Sequence, residues 1–197
     1  GQHCPRFAVD GVLVPGSRVR LGPTDWQVLA APGHDPDAIL LFEPQSRTLI
    51  AGDALWQNRL AVIFPELVEA SGFAETRATL DLIERLAPRW VIPGHGEPFE
   101  DVAEALASSR SRLATFEADP RRHARHAARA LLMFHLMELG HVDANELQRW
   151  IVRTPLFVAM AGQLGATDLD DWAEALIEGL VDEGLVTRAD TRLRVSG

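Results

Sequence analysis

The chain has no lysine and no tyrosine, and all nineteen of its basic residues are arginine. Against 28 acids this leaves a formal net charge of −9. Such a balance argues against general binding to nucleic acid or to an anionic membrane. The all-arginine complement reads as the habit of a GC-rich bacterial genome and carries no mechanism. Cysteine is nearly absent as well. Cys4 alone excludes an internal disulfide and reads as an incidental thiol close to the chain start. No apolar run approaches membrane-spanning length, so no membrane partner is expected and the expected setting is cytoplasmic. There is no internal repeat, no low-complexity segment and no Ser-His-Asp order that would suggest a nucleophilic triad.

What the chain does have is three loops of one kind. The first is Ala31-Pro32-Gly33-His34-Asp35-Pro36-Asp37, the second Ala51-Gly52-Asp53-Ala54 and the third Pro93-Gly94-His95-Gly96. Each follows a short run of strand-forming residues, namely Trp26–Ala30, Thr48–Ala51 and Trp90–Ile92. A loop at a strand end is a rigid place to hold a side chain while leaving its tip open. Neutral imidazoles and carboxylates suit Zn²⁺ and, less specifically, Fe or Mn.

The intervening sequence connects these loops. A short strand is expected near Val12–Val14, an exposed one at Arg18–Leu21, and a turn at Gly22-Pro23-Thr24-Asp25. Ala38–Glu43 and Arg47–Ala51 read as a hairpin joined by Pro44-Gln45-Ser46, which brings the His34 and Asp53 loops together. Leu55–Ser71 has no clean period. It reads either as a loop over a cleft, with Trp56 and Asn58 as substrate contacts, or as an ordinary surface connection. Phe73–Ala87 is an amphipathic helix with Leu80, Ile83, Leu86 and Ala87 on one face, stopped by Pro88. Trp90–Ile92 reads as a buried strand and Asp101–Ala118 as a helix with Leu106, Leu113 and Phe116 inward. Asp119-Pro120 is the expected domain boundary, dividing 1–119 from 120–197.

Three loops carrying His, Asp and His in this order, with a hairpin between the first two and a helix before the third, resemble the second half of the metallo-β-lactamase fold. The resemblance covers roughly Val12–Glu97. It implies an α/β (α+β) fold class, specifically the second half of an αββα sandwich. It also implies that His34 binds one metal, Asp53 bridges two and positions the attacking water, and His95 binds the second. Two zinc ions are expected in the complete protein, with Fe or Mn as alternatives. The superfamily's His-x-His-x-Asp-His signature is absent, and no two of the seven histidines are spaced i, i+2. The chain therefore reads as the C-terminal portion of a longer hydrolase. Its expected partners are the missing half of the fold or another copy, together with a small ester, thioester or phosphodiester substrate. Alone it is expected to be inactive. Asp35 and Asp37 are candidate acceptors behind a ligand imidazole, but an Asx turn fixed by Pro36 accounts for them equally well.

Beyond Pro120 the pattern changes to helices: Arg122–Leu139, a capped helix from Asp143 to Val152, a short one from Pro155 to Leu164, and Leu169–Glu183 with Trp172, Leu176 and Leu180 inward. A terminal hairpin, Leu185–Thr187 with Arg192–Val195, follows. This order resembles a small winged-helix domain, which some relatives carry, including endoribonucleases. The helix before the wing would normally read the major groove. Here Asp168–Glu183 carries seven acids and no arginine, so nucleic acid is not the expected partner. The domain is expected to pack against the catalytic core, to wall the cleft or to mediate dimerisation. Arg121, Arg122, His123, Arg125, His126 and Arg129 read as a solvated face in preference to an RNA patch, and His135 as partly buried packing. An RNA-cleaving enzyme and a non-catalytic scaffold remain the alternatives to the small-molecule hydrolase.

Overall fold

The computed structural model describes residues 6–196, so Cys4 lies outside the described residues. The fold is mixed α/β. Contacts divide the chain into two units, with the division between Ala118 and Asp119.

The first unit is built on a five-stranded sheet in the order β1-β2-β3-β4-β5. Its strands are β1 Arg18–Leu21, β2 Thr24–Ala30, β3 Ile39–Glu43, β4 Thr48–Gly52 and β5 Trp90–Pro93. The first four pair antiparallel in sequence, and β5 pairs parallel with β4 through the crossover helix α1, Phe73–Leu86. Thus β2, β4 and β5 run in one direction and end at the same edge of the sheet. The β3–β4 turn is fixed by Glu43, whose carboxylate accepts from the Ser46 hydroxyl and from the amides of Ser46 and Gln45. The bond from the Ser46 hydroxyl, then those from the two amides, hold the Glu43 carboxyl below its ordinary range.

One face of the sheet carries Leu40, Phe42, Leu49, Ala51 and Val91, packed in one cluster with Leu80 and Ile83 of α1 and with Ala105, Leu106, Leu113 and Phe116 of α2, Val102–Ala118. The alternate positions Leu41, Ile50 and Ile92 are register partners across three strands on the opposite face. That face is less covered. The expected buried strand Trp90–Ile92 is buried only at Val91, and Trp90 and Ile92 are each 38% exposed. Strand alternation sends those two side chains to the open face.

Other expectations also shift. Val12–Val14 forms no strand; it runs into a turn in which Ser17 N–H and Oγ both donate to Val14 O. Helix α1 buries Thr76, Thr79, Leu80 and Ile83, whereas Ala87 is its exposed C-cap in a left-handed conformation. Leu55–Ser71 is irregular, with one 3₁₀ turn at Phe64–Val68, but it is not a surface connection. Leu55, Leu60, Val62, Ile63 and Leu67 are all buried.

The second unit contains α3 Pro120–Leu139, α4 Ala144–Arg153, α5 Pro155–Gln163 and α6 Leu169–Asp182, with a three-stranded antiparallel sheet in the order β6-β8-β7. The terminal hairpin is β7 Val186–Ala189 and β8 Arg192–Val195. Strand β6, His141–Asp143, has no counterpart in the sequence reading. It exists through its pairing with β8, a partner some fifty positions away. Helix α6 presents Ala173, Ile177 and Leu180 inward, with Trp172 and Leu176 only half-buried beside them. His135 stacks on Trp150 with ring centroids 3.7 Å apart. The basic cluster is dispersed: Arg121 and Arg125 are exposed, Arg122 pairs with Asp119 and Arg129 with Glu183.

Candidate metal centre

His34, Asp53 and His95 follow the ends of β2, β4 and β5, which share one edge of the sheet. A shared edge at strand carboxyl ends is where open α/β sheets place ligands. The loop after β2 is closed by the Ala31 amide on Ala38 O at 2.8 Å and tied to α1 by Thr79 Oγ1 donating to Pro32 O at 2.8 Å. Gly33 adopts φ +149°, and a Cβ there would lie 2.5 Å from Thr76 Oγ1, so only glycine lets the loop lie this close to α1. The Gly94 amide donates to Gly52 O at 2.7 Å, which joins the second and third loops through their backbones.

These constraints bring the three side chains together. His34 Nε2 lies 3.5 Å from Asp53 Oδ2, and His95 Nε2 lies 3.8 Å from Asp53 Oδ1. Each separation exceeds a normal hydrogen bond of about 2.7–3.2 Å. Each is near the roughly 3.3 Å between two ligands on one tetrahedral zinc with bonds of about 2.0–2.1 Å. Among the described residues no three His, Cys, Asp or Glu side chains close into a cage for one ion. The arrangement is instead an open one, with a carboxylate spanning two imidazoles, one at each oxygen.

The ring of His34 is turned by the backbone. Nδ1 is 2.6 Å from Val62 O, and because a carbonyl only accepts, Nδ1 carries the proton and Nε2 presents its lone pair. Phe64 packs edge-on against the same ring at 5.1 Å, and its amide donates to His34 O at 3.2 Å. The segment 60–64 therefore serves as the backing of the site. Its run Leu60-Ala61-Val62-Ile63-Phe64, five apolar residues without a break, was the signal in the sequence that this stretch is buried.

Of the remaining candidates, Asp35 Oδ1 accepts from the Asp37 amide at 2.8 Å, which is the Asx turn. Neither Asp35 nor Asp37 stands behind the His34 ring, where Val62 O does instead. Asn58 is exposed. Trp56 meets the trio, because its Nε1 donates to Asp53 Oδ1 at 2.9 Å and its ring meets that of His95 edge-on at 5.1 Å. A small cavity lies beside His34 and Asp53, lined by Ala31, Leu60, Ile63, Thr76 and Thr79 among others.

A family model described as the metallo-beta-lactamase superfamily matches residues 2–95, which contain all three loops. Those residues belong to the metallo-β-lactamase superfamily. The probable metallo-hydrolase YqjP of Bacillus subtilis is 28% identical over 160 residues, covering 79% of this chain and 47% of YqjP. A second probable metallo-hydrolase of the same organism, YflN, is 33% identical over 85 residues, covering 38% of this chain and 32% of YflN. Among solved structures, a metallo-beta-lactamase family protein from Thermus thermophilus matches with a TM-score of 0.48 and 23% identity, covering 93% of this chain and 54% of that one. The match spans about half the length of YqjP and of the Thermus thermophilus protein and about a third of YflN. No helix among the described residues is long and apolar enough to cross a membrane.

Proposed function

We propose that the chain supplies three ligands to a two-metal hydrolytic centre. In this reading His34 Nε2 and Asp53 Oδ2 hold one ion, and His95 Nε2 and Asp53 Oδ1 hold the other. The single observation that carries it is Asp53 between the two imidazoles, at 3.5 and 3.8 Å. The donor set, two nitrogens and a carboxylate with one tautomer fixed by Val62 O, suits zinc, with Fe or Mn as alternatives. Such ions supply the activation of water for attack on a small ester, thioester or phosphodiester. The chain's own part is to hold the carboxylate across the two positions and to aim the imidazoles at it. The cavity lined by Leu60, Ile63 and Ala31 leaves apolar surface beside the reacting position.

Two ligands per ion do not complete either coordination shell. The missing ligands come, on this reading, from the half of the fold that covers the open face at Leu41, Ile50 and Ile92, so full activity belongs to the assembled protein. The second unit, which we read as winged-helix-like, is not a nucleic-acid reader, because α6 with its two caps, Asp168–Glu183, carries seven acids and no arginine.

The experiment is Zn²⁺ titration of the chain and of its H34A, D53A and H95A variants, with far-UV circular dichroism as the folding control. D53A should abolish measurable binding, since it removes a ligand from both positions, and each histidine variant should remove one class of site. Folded variants that bind zinc as the parent does would refute the proposal.

A further inference from the structure

We propose that Trp56 is a positioning residue of this centre: its indole fixes Asp53 against His95 and thereby sets the cation affinity of the position those two share. This rests on the metal-ligand reading above. A carboxylate rotates easily about its last torsion, a broad and roughly two-fold well. Asp53 can span two imidazoles only if that rotation is stopped. Trp56 Nε1, which can only donate, reaches Asp53 Oδ1 at 2.9 Å and occupies one of its two lone-pair directions. Gly94 presents a bare Cα so close that a Cβ there would lie 2.4 Å from the same oxygen. Oδ1 thus accepts from the indole, is crowded by the Gly94 backbone and lies 3.8 Å from His95 Nε2. The same indole stands edge-on to the His95 ring at an interplanar angle of 81°, so one side chain orients both partners of that pair. His34 receives its orientation from Val62 O, an independent source. The two imidazoles therefore have different supports, and removing the indole N–H, which holds the oxygen facing His95, should weaken the His95 position more than the His34 position.

The test uses the full chain, with Zn²⁺ affinity read by competition with a chromophoric chelator. W56F keeps an aromatic ring beside His95 and removes the donor. We expect it to weaken binding on the order of 10- to 100-fold, with the same factor in an H34A background, where only the His95–Asp53 pair remains, and by a clearly smaller factor in an H95A background. A second readout does not depend on how well the variant folds. The ¹⁵N–¹H indole cross-peak of Trp56, assigned through W56F, should move as Zn²⁺ is added to the parent chain and to H34A. Unchanged affinity in W56F, equal losses in the two backgrounds, or a stationary cross-peak in a chain that binds zinc would each overturn the proposal. Equal losses in particular would make Trp56 a general support of the loop. Failure of the ligand reading looks different, because H34A, D53A and H95A would then all leave zinc binding as it was.

Discussion

At the scale of single residues, the centre depends as much on what is small as on what ligates. Gly94 is the clearest case. A methyl group there would sit 2.4 Å from Asp53 Oδ1 and 3.1 Å from the Gly52 carbonyl carbon, so Asp53 must move to admit it. The expected result for G94A is a loss of zinc affinity on the order of 10-fold or more, with a fold still cooperative by thermal denaturation, because the displaced group is a ligand on the proposed reading and is not part of the core. His123 is a residue of another kind. It is buried in α3, and burial, with a smaller push from His126, lowers its pKa to about 4. The folded chain therefore keeps His123 neutral, while the unfolded chain protonates it below about 6.5. The unfolded state binds the extra proton between those values, so stability falls as the pH drops from about 6.5 towards 4. Urea unfolding at pH 7 and pH 5 should differ by about 2 kcal/mol from this group, and His123→Gln should flatten the difference.

At the scale of elements, the sequence was most legible where a signal is local. Phe73–Leu86 has helical spacing and a proline two residues after its end, and the helix lies there. The β3–β4 hairpin and the three strand-end loops were legible for the same reason, since alternation and punctuation by Gly and Pro are both short-range. Asp168 shows how local such signals are. Its Oδ1 accepts from the amides of Asp170 and Asp171, so D168A should cost about 1 kcal/mol, visible as a lower midpoint in thermal unfolding followed by helical signal. What could not be read depends on distant partners. Strand β6 is three residues long and is a strand only because β8 lies beside it. Trp90 and Ile92 look like core by composition, yet the sheet has an open face and alternation sends them there. In α6 the buried stripe begins at Ala173, a residue too small to announce itself, with the larger Trp172 beside it. The orienting carbonyl of Val62 has no residue signature, because any residue supplies a carbonyl.

At the scale of the whole molecule, the two units differ in what their sequences commit them to. The first gathers a histidine, an aspartate and a histidine, separated by 19 and 42 positions, at one edge of a sheet whose other face is apolar and partly open. The strand directions bring this about: β2, β4 and β5 are parallel to one another, so the residues that follow them must converge. The second unit holds its own sheet and helices and contains none of His34, Asp53 and His95. The claim on which the account stands is that Asp53 receives cations from both sides. Crystals soaked in Zn²⁺ and measured at the zinc absorption edge test it directly. The account predicts anomalous density about 2 Å from Asp53 Oδ1 or Oδ2, with the Nε2 of His95 or His34 completing the contact. Zinc bound elsewhere, with no anomalous peak at Asp53, would contradict it.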